Sequence, residues 1–101
     1  MKKTFRLEHP KKKYPRLIEA AKSEIRKYVK RERRRELPEG VDFLDFDCRF
    51  GDTEETAKTV HLRDITACID AIEKAGALSF YVEVISKPGI RQRRDIAVDE
   101  D

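Results

Sequence analysis

The sequence predicts an α+β fold, with two helices covering one face of a three- or four-stranded sheet. Three observations predict it. Apolar residues alternate with polar ones in three separate stretches, they recur at helical spacing in two others, and Pro or Gly stands between these stretches. The order read along the chain is β-α-β-(β)-α-β, a two-layer sandwich. If the bracketed strand forms, this is the split βαββαβ arrangement of ferredoxin-like domains.

The first strand is read over residues 3–8, where Phe5 and Leu7 share a face and His9-Pro10 ends the run. A helix follows from Tyr14-Pro15 to about Glu36, because Pro is tolerated in a first turn whose N–H groups have no helical partner. Tyr14, Leu17, Ile18, Ala21, Ile25, Tyr28 and Val29 form its apolar stripe. Pro38-Glu39-Gly40 reads as a turn. From Phe43, the residues Leu44, Phe46, Cys48 and Phe50 alternate with Asp45, Asp47 and Arg49, the clearest strand pattern in the chain.

Residues 56–61 are a candidate antiparallel return. The second helix is read over Leu62–Ala75, with Leu62, Ile65, Cys68, Ile69 and Ile72 inward and Gly76 placed to end it. A final strand spans Ser79–Ser86 before Lys87-Pro88-Gly89. Residues 1–90 are thus expected as one domain and 91–101 as a flexible charged tail.

Charged residues make up 43% of the 101 residues, so the core must come from a few amphipathic faces. The formal net charge of +3 conceals a segregation. Residues 1–37 hold 15 Lys/Arg and 5 Asp/Glu, and residues 38–101 hold 8 and 15. The first segment is therefore +10 and the second −7, an asymmetry that favours a polyanionic partner. The basic start Met1-Lys2-Lys3 lacks the apolar run of an export signal, and no stretch is long and apolar enough for a membrane helix. Cys48 and Cys68 stand apart in apolar patterns, as reduced thiols do. A cytoplasmic setting is expected.

The strongest functional lead is the basic first helix. Arg26, Lys27, Lys30, Arg31, Arg33, Arg34 and Arg35 crowd its C-terminal part, and Lys11, Lys12 and Lys13 precede it. Cations in such numbers bind phosphates by releasing condensed counterions, without reading sequence. The expectation is a non-catalytic nucleic-acid-binding module, RNA or the ribosome being favoured over DNA because no helix-turn-helix or basic zipper accompanies the helix. The bland alternative is a solvated face whose cations favour the helix dipole and pair with nearby Glu.

A second reading takes Asp45, Asp47, Tyr81 and Glu83 as an acidic open sheet face that binds a basic protein. No enzyme, cofactor or metal is expected. His9, Cys48, His61 and Cys68 lack the close spacing of zinc motifs, and Cys48 alternates with core residues while His61 is read as facing outward, which argues against a thiol nucleophile and its base.

Several blocks also resemble a family of short bacterial proteins catalogued only as a domain of unknown function. They are Lys2-Lys3-Thr4-Phe5, His9-Pro10, Lys30-Arg31-Glu32-Arg33, Leu37-Pro38-Glu39-Gly40-Val41-Asp42-Phe43, Asp45-Phe46-Asp47-Cys48 with Phe50-Gly51, and Ser79-Phe80-Tyr81-Val82-Glu83 with Lys87-Pro88-Gly89. The resemblance runs over about residues 2–91. It implies a bacterial cytosolic setting and assigns no activity, cofactor or functional residue.

Overall fold

A computed structural model describes residues 1–35 and 37–89. Its elements are β1 (Lys2–Arg6), α1 (Tyr14–Arg33), β2 (Phe43–Gly51), β3 (Lys58–Val60), a 3-10 turn (Leu62–Asp64), α2 (Ile65–Ala75) and β4 (Ser79–Gly89). The strands form one sheet in the order β1-β4-β2-β3, every neighbouring pair antiparallel. This is the expected two-layer α+β sandwich, and the bracketed strand is present as β3.

Each β-α-β unit is split. The pair β1 and β2 encloses β4, and the pair β3 and β4 encloses β2. The order still differs from that of ferredoxin-like sheets, where the first strand of each unit is central; here the second strands, β2 and β4, occupy the centre.

Alternation along the strands builds the core. Phe5, Phe46, Cys48, Phe80, Val82 and Val84 face the helices, and Ile18, Ala21, Ile25 and Val29 of α1 meet them together with Ile65 and Ile69 of α2. Ile18, Ile69 and Phe80 are fully buried, and each such side chain is worth about 1.5–3 kcal/mol of transfer free energy. Phe80 is stacked between Phe5 and Phe50, with centroids 5.1 Å away on each side. A row of rings therefore ties β1, β4 and β2 together under the helices.

Element ends depart from the sequence reading for identifiable reasons. The last turn of α1 tightens, with Arg34 N–H donating to Arg31 O and Arg35 N–H to Glu32 O at 3.2 Å each, so the helix stops at Arg33. Glu36, its expected end, lies outside the described residues, as does the expected tail 91–101. The helix does not outrun the sheet either, because its buried stripe continues to Glu32.

The strand β4 extends to Gly89 and passes through Pro88. Gly89 O accepts from Asp42 N–H, so Gly89 points its backbone groups at β2 and Pro88 points its own the opposite way. On that side β1 pairs only as far as Glu83, and the missing N–H of Pro88 deprives no ladder. The first helical residues expected in α2 form the 3-10 turn instead, and Gly76, at φ 68°, ends the helix in the left-handed conformation expected of a C-terminal glycine.

The connection 52–57 closes back over the sheet's other face. A Cβ on Gly51 would lie 2.6 Å from Ala57 Cα, a backbone atom that cannot swing aside. Gly51→Ala is expected to destabilise the protein by about 1–3 kcal/mol, read as a lower urea midpoint with an unchanged denaturant slope.

Candidate nucleic-acid interface

The two helices differ in length, 20 residues in α1 against 11 in α2. The strand β3 is shorter still, pairing only with Cys48, Arg49 and Phe50 of β2. Among the described residues, the N-terminal half of β2 consequently has β4 on one side and no strand on the other. Between the C-terminal half of α1, this open edge and the 3-10 turn lies a groove of about 980 Å³.

Arg26, Lys30 and Arg33 line the groove from α1 and Arg34 from its C-cap, while Arg63 comes from the 3-10 turn and His61 from the residue before it. Ile25, Val29, Leu44 and Phe46 supply apolar surface below them. The five Lys and Arg side chains face one carboxylate, that of Asp45. Among the described residues, none of the five has a carboxylate partner within ion-pair distance. The Arg33 guanidinium sits 5.6 Å from the centre of the Phe46 ring, an arrangement that holds the side chain without neutralising it.

The spacing along α1 explains the selection. Residues 26, 30, 33 and 34 recur at helical intervals of three and four, so they share a face beside Ile25 and Val29. Lys27 and Arg31 also stand four apart but do not line the groove, and Arg31 lies over Tyr28 at 5.6 Å. Arg35 is committed to Glu32 at 3.1 Å, and Glu32 also accepts from Ser86 Oγ at 3.1 Å.

Lys11, Lys12 and Lys13 precede the opposite end of α1, about 20 Å from Arg26 and about 30 Å from Arg33 at ~1.5 Å per residue. They do not extend the patch. Arg63 and His61 were missed by sequence reasoning, because an isolated Arg in Leu62-Arg63-Asp64 carries no signal until the topology brings that turn beside α1.

The acidic face departs from its sequence reading. Tyr81 and Glu83 are only 4% and 7% exposed. Tyr81 O–H donates to Glu83 Oε2 at 2.7 Å, and Arg49 donates to the same oxygen at 2.7 Å. Arg49 also donates to Glu54 O at 3.1 Å and Ala57 O at 3.0 Å, which fastens the 52–57 connection over the pair. Neither Tyr81 nor Glu83 is available to a partner. Asp47 and Asp45 remain exposed, Asp47 paired with Lys87 at 2.7 Å and Asp45 accepting from Phe46 N–H at 2.8 Å.

The electrostatics of this cluster follow from its bonds. The Tyr81 hydrogen bond, helped by the charge of Arg49 and opposed by burial, holds the Glu83 carboxyl below its ordinary value. Burial and the same hydrogen bond push Tyr81 up to about 12. Burial pushes the Cys48 thiol up to about 11, so it is protonated at neutral pH and unsuited to nucleophilic attack. Among the described residues, no group of three or more His, Cys, Asp and Glu could hold a metal ion, and no helix is long and apolar enough to cross a membrane.

The fold and groove define a small α+β domain with a concave basic surface. The chain belongs to the Family of unknown function (DUF6172), whose model matches residues 1–95. No curated protein and no solved structure matches it.

A native pKa below the unfolded one gives Glu83 a stabilising contribution that is present above its ordinary value of 4.5 and lost as pH falls through the native value. Tyr81, raised from 10.0, contributes below pH 10 and loses that contribution as pH climbs toward about 12. Urea midpoints measured across pH are expected to fall at both extremes, and Glu83→Gln is expected to flatten the acid limb.

Proposed function

We propose that this chain is a non-catalytic nucleic-acid-binding module that takes phosphates on Arg26, Lys30, Arg33, Arg34 and Arg63, with RNA favoured over DNA. The observation that carries the reading is the convergence on a concave surface of five cations that have no carboxylate partner among the described residues. Lys3 and Lys22, by contrast, are neutralised by Glu24 at 2.6 Å and by Asp70 at 2.5 Å. Convergent guanidinium groups make bidentate phosphate contacts, whereas a merely solvated face would spread its charge outward.

The preference for RNA follows from how α1 is seated. A helix buried along one side as far as Glu32 does not project into a major groove as a recognition helix does. The bacterial cytosolic setting implied by the family resemblance belongs to the same reading, since RNA is accessible there and a buried thiol such as Cys48 stays reduced.

Fluorescence anisotropy against RNA across a salt series tests the proposal. Five phosphate contacts are expected to give a slope of log affinity on log salt of about −3.5, at ~0.7 per contact for a single strand. Combining Arg33→Glu with Arg34→Glu is expected to weaken binding at least about tenfold and to flatten that slope. Binding indifferent to salt or to the double substitution would contradict the reading.

A further inference from the structure

The groove differs from a plain basic patch in what lies along its bottom. Residues of β2 alternate in the side to which they send their backbone groups. Asp42 N–H bonds Gly89 O across the β2–β4 pairing, and Phe43 is the register partner of Gly89. Phe43, Asp45 and Asp47 therefore address β4, while Leu44 and Phe46 address the open edge. The hydrogen bond from Phe46 N–H to Asp45 Oδ1 agrees, since an amide aimed at β4 would be engaged in the ladder.

The edge thus offers the groove the N–H and C=O of Leu44 and the C=O of Phe46, with no strand beside them among the described residues. The Asp45 carboxylate, whose Oδ1 holds the Phe46 amide, stands at the same edge and is the one acid among the described residues that line the groove. Cations accordingly occupy two walls, on α1 and on the 3-10 turn, and hydrogen-bond acceptors predominate between them over apolar surface.

That distribution matches a nucleotide chain laid with its phosphates on the walls and its bases at the bottom. A phosphate placed at the bottom would meet Asp45, whereas the exocyclic amino group of a base would donate to it, as carboxylates accept from cytosine N4. A duplex presents phosphates outward and keeps its bases stacked, and the deep, narrow major groove of an RNA helix admits no such edge. The volume of about 980 Å³ lies at the upper end of the ~300–1,000 Å³ of small-molecule sites, room for unstacked bases but not for a double helix.

Resting on the phosphate-binding reading above, we propose that the groove takes single-stranded RNA and that the open edge of β2, with Asp45, selects bases bearing an exocyclic amino group. Cytosine, adenine and guanine each carry one. Uracil, with carbonyl oxygens in place of that amino group, would set acceptor against acceptor. The lone carboxylate is then a specificity determinant, and Arg63 is a phosphate ligand on the wall that the basic helix does not supply.

Fluorescein-labelled oligo(C), oligo(A) and oligo(U) of equal length, and an RNA duplex, titrated into the full chain at one salt concentration test the proposal. Oligo(C) and oligo(A) are expected to bind about tenfold tighter than oligo(U) or the duplex. The Arg63→Glu chain is expected to bind oligo(C) at least about tenfold more weakly. The Asp45→Asn chain, which keeps an oxygen for the Phe46 amide, is expected to bind every strand more tightly while its preference for oligo(C) over oligo(U) shrinks.

A duplex bound as tightly as oligo(C), or a preference untouched by Asp45→Asn, would overturn the proposal. Arg63→Glu without effect, alongside loss from Arg33→Glu, would also overturn it and leave phosphate binding on α1 alone. Polyglutamate competing as well as oligo(C) would overturn it in favour of an acidic protein segment. Absence of binding to any RNA would mark failure of the underlying function instead.

Discussion

Everything distinctive in this molecule depends on the unequal cover that its helices and strands give to β2. The central strands β2 and β4 are nine and eleven residues long, yet β3 spans three and α2 eleven. The stripe Ile18, Ala21, Ile25 and Val29 pins α1 to Val82 and Val84 and their neighbours, so the longer helix cannot shift to compensate. What remains is a concave strip beside the N-terminal half of β2. A chain with so few apolar residues has closed the core it can close, and it has left open the place where its cations converge.

The two faces of the sheet use charge in opposite ways. On the face away from the helices, Arg49 serves Glu83 and two carbonyl oxygens, and the loop it fastens removes Tyr81 and Glu83 from solvent. Arg49, Tyr81 and Glu83 are all partnered there, which suits a structural role. On the helix side, Arg26, Lys30, Arg33, Arg34 and Arg63 are held near one another with their charge uncompensated among the described residues. Mutual repulsion makes that arrangement costly to keep unless an anion completes it.

Much of this was legible in the sequence. Alternation at Phe46 and Cys48 and helical spacing from Ile18 to Val29 lead directly to the strands and helices found, and even the short β3 falls within residues 56–61. The candidate site was legible only along α1, since a helix face can be read from intervals of three and four. Arg63 could not be found that way, because its place in the groove's lining is set by the strand order. Nor could the separation of Lys11–Lys13 from the groove be seen in a charge count, which has no length scale. Tyr81 and Glu83 looked exposed because alternation assigns a face, not its cover, and a loop closing on Arg49 supplies that cover.

On the proposed function, the open edge of β2 and the two cationic walls act together as one RNA-binding surface. Backbone amide chemical shifts of the isotope-labelled chain, followed during titration with oligo(C), test it most directly. The largest shifts are expected at Leu44, at residues 61–63 and along residues 26–34, all saturating with a single affinity. Shifts confined to Lys11–Lys13 or to the Lys27 and Arg31 side of α1, with Leu44 and Arg63 unmoved, would contradict it.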